Sequence, residues 1–333
     1  MSAGSPRPKV GIVGATGYAG RELIALIEAH PTLELAFQMG SRDGVLPEPP
    51  SLPVDPEIEA LDFDRFDEVQ GVFLCTPHKA AAPLVLEALA RDCRAVDLSA
   101  DFRLKNARAY AAAYEVDHPA PQLLSEAVYG LTEYEREAVR GAQLVANPGC
   151  YPTAALLALK PLLEADLIDL ERGVIIDAKS GLSGAGKGAK PTTHFGNVHE
   201  NFKAYGVGTH RHAPEICQEA GTDQIVFTPH LLPVFRGILE TIYVAPKGGV
   251  DAPALRRAWS ERYADEAFIR VFESGLPELN RVQNTNQCHL GLAPTGPWIA
   301  LVAAIDNLVK GAAGQALQNM NLMLGVPEGD GLR

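Results

Sequence analysis

Residues 9 to 149 alternate two kinds of segment. Short apolar runs (KVGIVGA, LELAFQMG, GVFLCTP, RAVDLSA, AQLVANPG) alternate with stretches such as GRELIALIEAH and AAPLVLEALAR, whose apolar positions recur at helical spacing. The runs are short and apolar at successive positions, as expected of strands buried on both faces. Together they predict βαβ units and a Rossmann-type doubly wound parallel sheet. Between Val45 and Asp62 five prolines (Pro47, Pro49, Pro50, Pro53, Pro56) exclude a continuous helix or central strand, so a surface excursion is expected there.

After LVANPGCYPTAALLALKPLL, which predicts a helix from about Pro152 to Glu164, the rhythm changes. GVIIDAKS is a strand, residues 180 to 190 are glycine-rich, and QIVFTPH, GILETIYVAP, QCHLGLAP and WIALVAAID read as mostly antiparallel strands. A second, α+β domain therefore follows the first. The last helix is expected to start at Asn307, in NLVKGAAGQALQNMNLML.

Composition narrows the function classes. The 333 residues suffice for two cores, and their formal net charge of -12 with no basic block argues against nucleic-acid and anionic-membrane surfaces. No apolar run is long enough for a membrane span, and the N-terminal stretch lacks a signal peptide's apolar core, so a cytoplasmic protein is expected. The five cysteines (Cys75, Cys93, Cys150, Cys217, Cys288) form no C-x-x-C pair, which leaves a single reactive thiol rather than a disulfide framework or zinc site.

Five stretches carry candidate chemistry. VGIVGATGYAGREL places Gly11, Gly14, Gly17 and Gly20 at a strand-to-helix turn, where backbone can approach a pyrophosphate. The spacing departs from strict G-x-G-x-x-G, so the strand-turn-helix context matters more than the glycines alone. After the second strand, Ser41 and Arg42 stand where NAD-preferring sheets usually carry an acid. Arg42 suits the 2′-phosphate of NADP, although Asp43 adjoins it.

Cys150 follows Asn147-Pro148-Gly149 just before a helix, where unpaired amides and the helix dipole lower a thiol pKa from roughly 8.5. A thiol nucleophile needs a proton-transfer partner, and GVGTHRHAPEI offers His210 and His212; no pattern favours a metal. Gly181, Gly184, Gly186 and Gly188 leave amides open for an anion or a flat ring, with Lys187 and Lys190 nearby.

The segments GATGYAG, DLSADFRL, NPGCYPTAALLALKPL, SGLSGAGK, NFKAYGVGTHRHAPEI, TPHLLPVFRGI and DNLVKGAAGQALQNMN, in this order, resemble the N-acetyl-gamma-glutamyl-phosphate reductases, the arginine-biosynthesis relatives of the aspartate-semialdehyde dehydrogenases. The latter carry an arginine before and a histidine after the proline of the LLPVFRGI-like stretch. This chain has Leu231 and Ile238 near those places, and the family pattern supplies His210 as the base instead.

The resemblance implies an NADP-binding domain of residues 1–149 and 307–333, with Asn307 returning to it. Residues 150–306 would form a catalytic and dimerisation domain, giving a homo-oligomer, dimer or tetramer. It also implies Cys150 and His210 as catalytic residues and Arg103, Asn147 and His212 as substrate contacts. The cofactor would be held by Gly14, Thr16, Gly17, Tyr18, Ala19, Ser41, Arg42, Thr76, Pro77, Ser180, Gly181, Ser183, Gly184 and Asn307. His199, Glu200 and Asn201 are open candidates for substrate contact. The expected reaction is NADPH-dependent reduction of an acyl phosphate through a Cys150 thioester. The rivals are an aminoadipyl phosphate one methylene longer, a non-catalytic NADP-binding regulator and a cysteine hydrolase.

Overall fold

A computed structural model of the chain describes residues 7–40 and 58–333. The chain divides into two compact units, Met1–Pro148 with Ala312–Leu332, and Gly149–Gly311 with Arg333.

The first unit contains β1 (Lys9–Val13), α1 (Tyr18–Glu28), β2 (Glu34–Met39), β3 (Gly71–Leu74), α2 (Ala81–Ala90), β4 (Arg94–Asp97), α3 (Ala107–Tyr114), β5 (Val128–Tyr129), α4 (Thr132–Gly141) and β6 (Leu144–Ala146). Among the described residues these strands form one six-stranded sheet, ordered β2-β1-β3-β4-β6-β5, with every pair parallel. The five apolar runs supply β1, β2, β3, β4 and β6; the two-residue β5 at the sheet's edge was not expected.

Its strands are continuously apolar because separate clusters pack on its two faces, one around Phe37, Phe66 and Leu74, the other around Ile12, Leu23 and Phe73. From β1 the chain moves outward to β2 and then returns to the other side of β1. The strand order thus reverses between β1 and β3, where doubly wound sheets take their ligands. The proline-rich excursion expected between Val45 and Asp62 falls largely outside the described residues.

The second unit contains α5 (Cys150–Glu164), β7 (Val174–Ser180), α6 (Phe195–Val198), β8 (Lys203–Ala204), α7 (His212–Ala220), β9 (Ile225–Leu231), β10 (Ile238–Val244), α8 (Ala252–Arg262), β11 (Ile269–Val271), β12 (Cys288–Thr295) and β13 (Trp298–Ile305). Among the described residues its seven-stranded sheet runs β11-β12-β13-β10-β7-β9-β8. It is parallel at β7–β9 and β11–β12 and antiparallel elsewhere.

Helix α5 is apolar on every side and buried from Tyr151 to Leu159, an interior helix rather than an amphipathic one. Pro161 lies inside it and cannot donate to the Leu157 carbonyl. The Tyr263 hydroxyl donates to that carbonyl at 2.7 Å, and the Trp259 indole N–H donates to the next, Ala158, at 2.8 Å. Two aromatic residues at the end of α8 thus keep a proline-bearing helix fully hydrogen-bonded within an apolar core.

The chain leaves the second unit through a π-helical turn, Val309–Ala313, and continues as α9 (Gly314–Met323) in the first. All of α9 is buried, amides included. The Asn319 side-chain amide donates to the Gly130 carbonyl at 2.8 Å and to Asn147 Oδ1 at 3.2 Å, while the Thr132 hydroxyl donates to Asn319 Oδ1 at 2.6 Å. The expected continuous helix from Asn307 is therefore divided. Asn307 itself lies in the second unit, five residues before the chain re-enters the first at Ala312.

Candidate active site

The first unit has the features of a dinucleotide cradle. Gly14 follows β1 with φ +86°, and a Cβ there would lie 2.4 Å from the Cys75 carbonyl oxygen at the end of β3. Only glycine meets both conditions. Gly20 is constrained by space alone: a Cβ would lie 2.6 Å from the Gly14 carbonyl oxygen, so α1 packs directly on the turn.

Gly17 precedes α1 without a side-chain cap, leaving the first helical amides open to an anion. Thr16, Gly17, Tyr18 and Ala19 are half-buried along this turn. The Thr76 hydroxyl, buried just past β3, has no partner among the described residues, and Pro77 beside it is exposed. These residues fit a nucleotide diphosphate. Ser41 and Arg42, expected to read its ribose, lie outside the described residues.

Arg103 and Asn147 also belong to this unit, where they form a buried hydrogen-bonded framework. Arg103 donates from Nε to the Asn147 carbonyl and from a terminal nitrogen to the Leu98 carbonyl, both at 2.8 Å. The Asn147 side chain donates to the Ala312 carbonyl at 3.2 Å. Asp101 belongs to the same DLSADFRL segment and accepts the Lys79 and Ala81 amides at 2.7 and 2.9 Å, so it holds the start of α2. Buried Asp97, two residues from the Ser99 hydroxyl it accepts, is pushed up to about 7, first by burial and next by the Asp101 charge.

In the second unit, α5 begins at Cys150, two residues earlier than the position of Pro152 suggests. Cys150 is the first helical residue, and Pro152 is the third, where its missing N–H is still one of the orphan amides. Gly149 supplies no side-chain cap; its own N–H donates to buried Glu215 Oε1 of α7 at 2.8 Å. Half-buried Cys150 therefore sits at the positive end of a helix that is buried from Tyr151 to Leu159.

Next to it is an aromatic group. The His210 ring packs edge-on against Tyr151, Tyr205 and Phe227, with centroids 5.6, 5.4 and 5.4 Å away, and against His212 at 4.9 Å. The Tyr151 and Tyr205 hydroxyls are 3.1 Å apart. Burial pushes Tyr205 up to about 12; its hydrogen bond with Tyr151 works against this and the Cys150 charge adds to it, which places the thiol within electrostatic reach.

His210 is a neutral imidazole. Burial, and then the neighbouring Arg211 charge, lower its pKa to about 4. Its Nδ1 accepts the His212 backbone N–H at 3.1 Å, so the hydrogen-bond network assigns the ring proton to Nε2. The ring thus presents a donor without a positive charge. His212, the first residue of α7, is a structural neighbour through its amide as well as its ring.

The loop Ser180–Gly184 is tightly tied. Gly181 donates to the Gly237 carbonyl at 2.9 Å, and a Cβ on it would lie 2.6 Å from the Phe235 carbonyl oxygen. Asn307 Oδ1 accepts the Gly237 N–H at 2.6 Å while its amide donates to the Ser183 hydroxyl at 2.9 Å. Asn307 therefore clamps this loop, a role its sequence position did not suggest. Ser180 and Ser183 are buried and Gly184 is exposed, whereas Gly186, Lys187, Gly188, Lys190, His199, Glu200 and Asn201 all lie on exposed chain. Tyr205, Glu215 and Gly311 were not singled out from sequence. The signal for the first two was their position inside the NFKAYGVGTHRHAPEI segment; Gly311 gave none beyond lying in the last-helix pattern.

Residues 9–142 match the NAD-binding domain of the semialdehyde dehydrogenases, and residues 150–307 match their dimerisation domain. N-acetyl-gamma-glutamyl-phosphate reductases from Desulforudis audaxviator and Pelotomaculum thermopropionicum are each 47% identical to the chain, over 97% of its length and of theirs. The fold is similar to that of Vibrio cholerae aspartate semialdehyde dehydrogenase II, with a TM-score of 0.71 at 19% identity over 96% of this chain and 99% of that one. The first unit is accordingly a nicotinamide-nucleotide-binding domain, and the protein is an oxidoreductase acting on a small molecule. With an uncapped glycine cradle in one unit and, in the other, a cysteine at a helix start whose neighbour Tyr151 packs on a neutral histidine, the chain belongs to the N-acetyl-gamma-glutamyl-phosphate reductase family.

Proposed function

We propose that the chain reduces N-acetyl-glutamyl 5-phosphate to N-acetyl-glutamate 5-semialdehyde and phosphate, with NADPH as the reductant and Cys150 as the nucleophile, in arginine biosynthesis. The observation that carries this reading is Cys150 as first residue of α5, with no side-chain cap competing for the helix amides. Those amides favour the thiolate, which attacks the acyl phosphate; the C–O bond to phosphate breaks and a thioester forms. Arg103 offsets the charge of the departing phosphate.

A nicotinamide, when bound, would supply the hydride, and its addition to the thioester carbon leaves a thiohemiacetal oxyanion on Cys150. His210 is neutral and donates from Nε2, so it stabilises the oxygen of each tetrahedral adduct by a hydrogen bond, as an oxyanion donor does. As the adduct collapses, the C–S bond breaks, the thiolate leaves to the amides of α5, and the aldehyde is released. The choice of NADPH over NADH rests on Arg42 after β2, whose guanidinium suits a 2′-phosphate. In the cofactor set, Ser180, Gly181, Ser183 and Gly184 form the nicotinamide-facing loop and Asn307 holds that loop in place.

A second copy of the chain is the proposed partner, docking on the sheet face of the second unit opposite α5. Ile175 and Val226 are neighbours on that face and are 40% and 58% exposed, so a second copy would take two adjacent apolar side chains out of water. Incubation with NADPH and the acyl phosphate, following both nicotinamide absorbance and free phosphate, tests the activity. Stoichiometric loss of NADPH and release of phosphate is expected. Phosphate release without NADPH consumption would mean a hydrolase, and neither signal would mean a binding protein.

A further inference from the structure

We infer that Gly311, in the π-helical turn Val309–Ala313, is a positioning residue that sets the place of the Cys150 thiol; this rests on Cys150 being the nucleophile. A Cβ added to Gly311 would lie 2.8 Å from the Cys150 Cβ and 3.2 Å from its Cα, both tighter than an ordinary contact. Backbone without a side chain therefore forms one wall of the nucleophile's position, so the cysteine cannot back away from whatever it attacks.

The turn that presents this wall is held from below. Gly311 N–H donates to the Asp306 carbonyl at 2.9 Å, the wide hydrogen bond of a π turn, a form frequent at functional sites. Asp306 is fully buried. Its Oδ1 accepts the Leu308 and Val309 amides at 2.8 and 3.3 Å, and its Oδ2 accepts the Asn284 amide at 2.6 Å and lies 3.4 Å from the Arg236 guanidinium. One carboxylate thus fixes the turn, and the turn fixes where Cys150 can stand.

The test is Gly311→Ala in the full chain, measured for kcat, KM, cofactor binding and the pH dependence of Cys150 alkylation by iodoacetamide. Displacing the thiol from the helix amides should raise its alkylation midpoint toward that of a free cysteine. It should lower kcat by roughly 10- to 100-fold, since small misplacements at a reacting atom cost about this much. KM and cofactor affinity should change little. Asp306→Asn keeps the acceptor for the two amides but weakens the Arg236 and Asn284 side of the clamp. It should give the same shifts in smaller size, and it carries the test if Gly311→Ala does not fold.

An unchanged alkylation profile in a folded variant, with or without a fall in kcat, would overturn the proposal, because any loss would then not run through the thiol. Failure of the underlying reading is separately visible: Cys150→Ser would retain turnover.

Discussion

His210 shows how much a residue's role depends on its surroundings. A histidine and a cysteine in one site suggest an ion pair, but burial lowers the His210 pKa to about 4, so stabilising the proposed Cys150 thiolate would fall to the α5 amides. His210→Asn should lower kcat by roughly 10²- to 10³-fold, the range typical of losing one oxyanion-type donor. The wild-type rate should show no histidine limb between about pH 5 and 7, because His210 protonates only below that window. Normal kcat in His210→Asn with loss in His212→Asn would exchange their roles.

Glu240 makes the opposite case, a titratable group outside the chemistry. It is fully buried on β10 with neither carboxylate oxygen hydrogen-bonded, and burial raises its pKa well above the usual carboxylate value, against a smaller pull from Lys179. Because its folded pKa exceeds the unfolded one, the unfolded chain gives up the proton first as pH rises. The residue therefore destabilises the fold increasingly above about pH 4.5, until its folded pKa is passed. Glu240→Leu should raise Tm, and raise it more at pH 8 than at pH 5. The gain should be about 1–3 kcal/mol, the cost of a buried unpaired polar group. An equal or lower Tm would show that the carboxyl has a partner in the folded chain.

Among elements, the cradle between β1 and α1 is the most constrained. Gly14→Ala adds a Cβ against the Cys75 carbonyl at a positive φ, and such strain costs about 1–3 kcal/mol. The variant should melt earlier and bind NADPH more weakly, measured by quenching or enhancement of nicotinamide fluorescence. Unaltered cofactor affinity would mean the diphosphate does not lie on this turn.

The strands of the first sheet other than β5, and the major strands of the second, were legible because each is part of a short apolar or alternating run. Three that were not, β5, β8 and β11, have two or three residues each, too few for any period to show. The start of α5 was misplaced by two residues because a proline marks a first turn, not a first residue. The division of the last helix was invisible because a 3.6-residue period does not distinguish an α turn from the single π turn that Asp306 imposes. For the same reason Asn307 gave no sign that it would clamp a loop far away in the chain.

For the molecule as a whole, the second copy proposed for the β7–β9 face predicts a concentration-dependent association. Val226→Asp together with Ile175→Asp should convert the assembly to monomers in sedimentation, since each places a charge where apolar surface would be covered. An unchanged sedimentation coefficient would mean that another surface makes the oligomer, or that there is none.

The division of labour between the two units leads to the most direct measurement. If the first unit holds the cofactor and the thiol at the start of α5 carries the acyl group, wild-type protein mixed with acyl phosphate and no NADPH should release close to one phosphate per subunit and retain the acyl group on Cys150, detected by intact-protein mass. Cys150→Ser should show neither the phosphate burst nor turnover while still binding NADPH nearly as tightly as the wild type. A Cys150→Ser protein that turns over substantially, or a wild-type acyl adduct mapped to any other residue, would contradict the covalent mechanism.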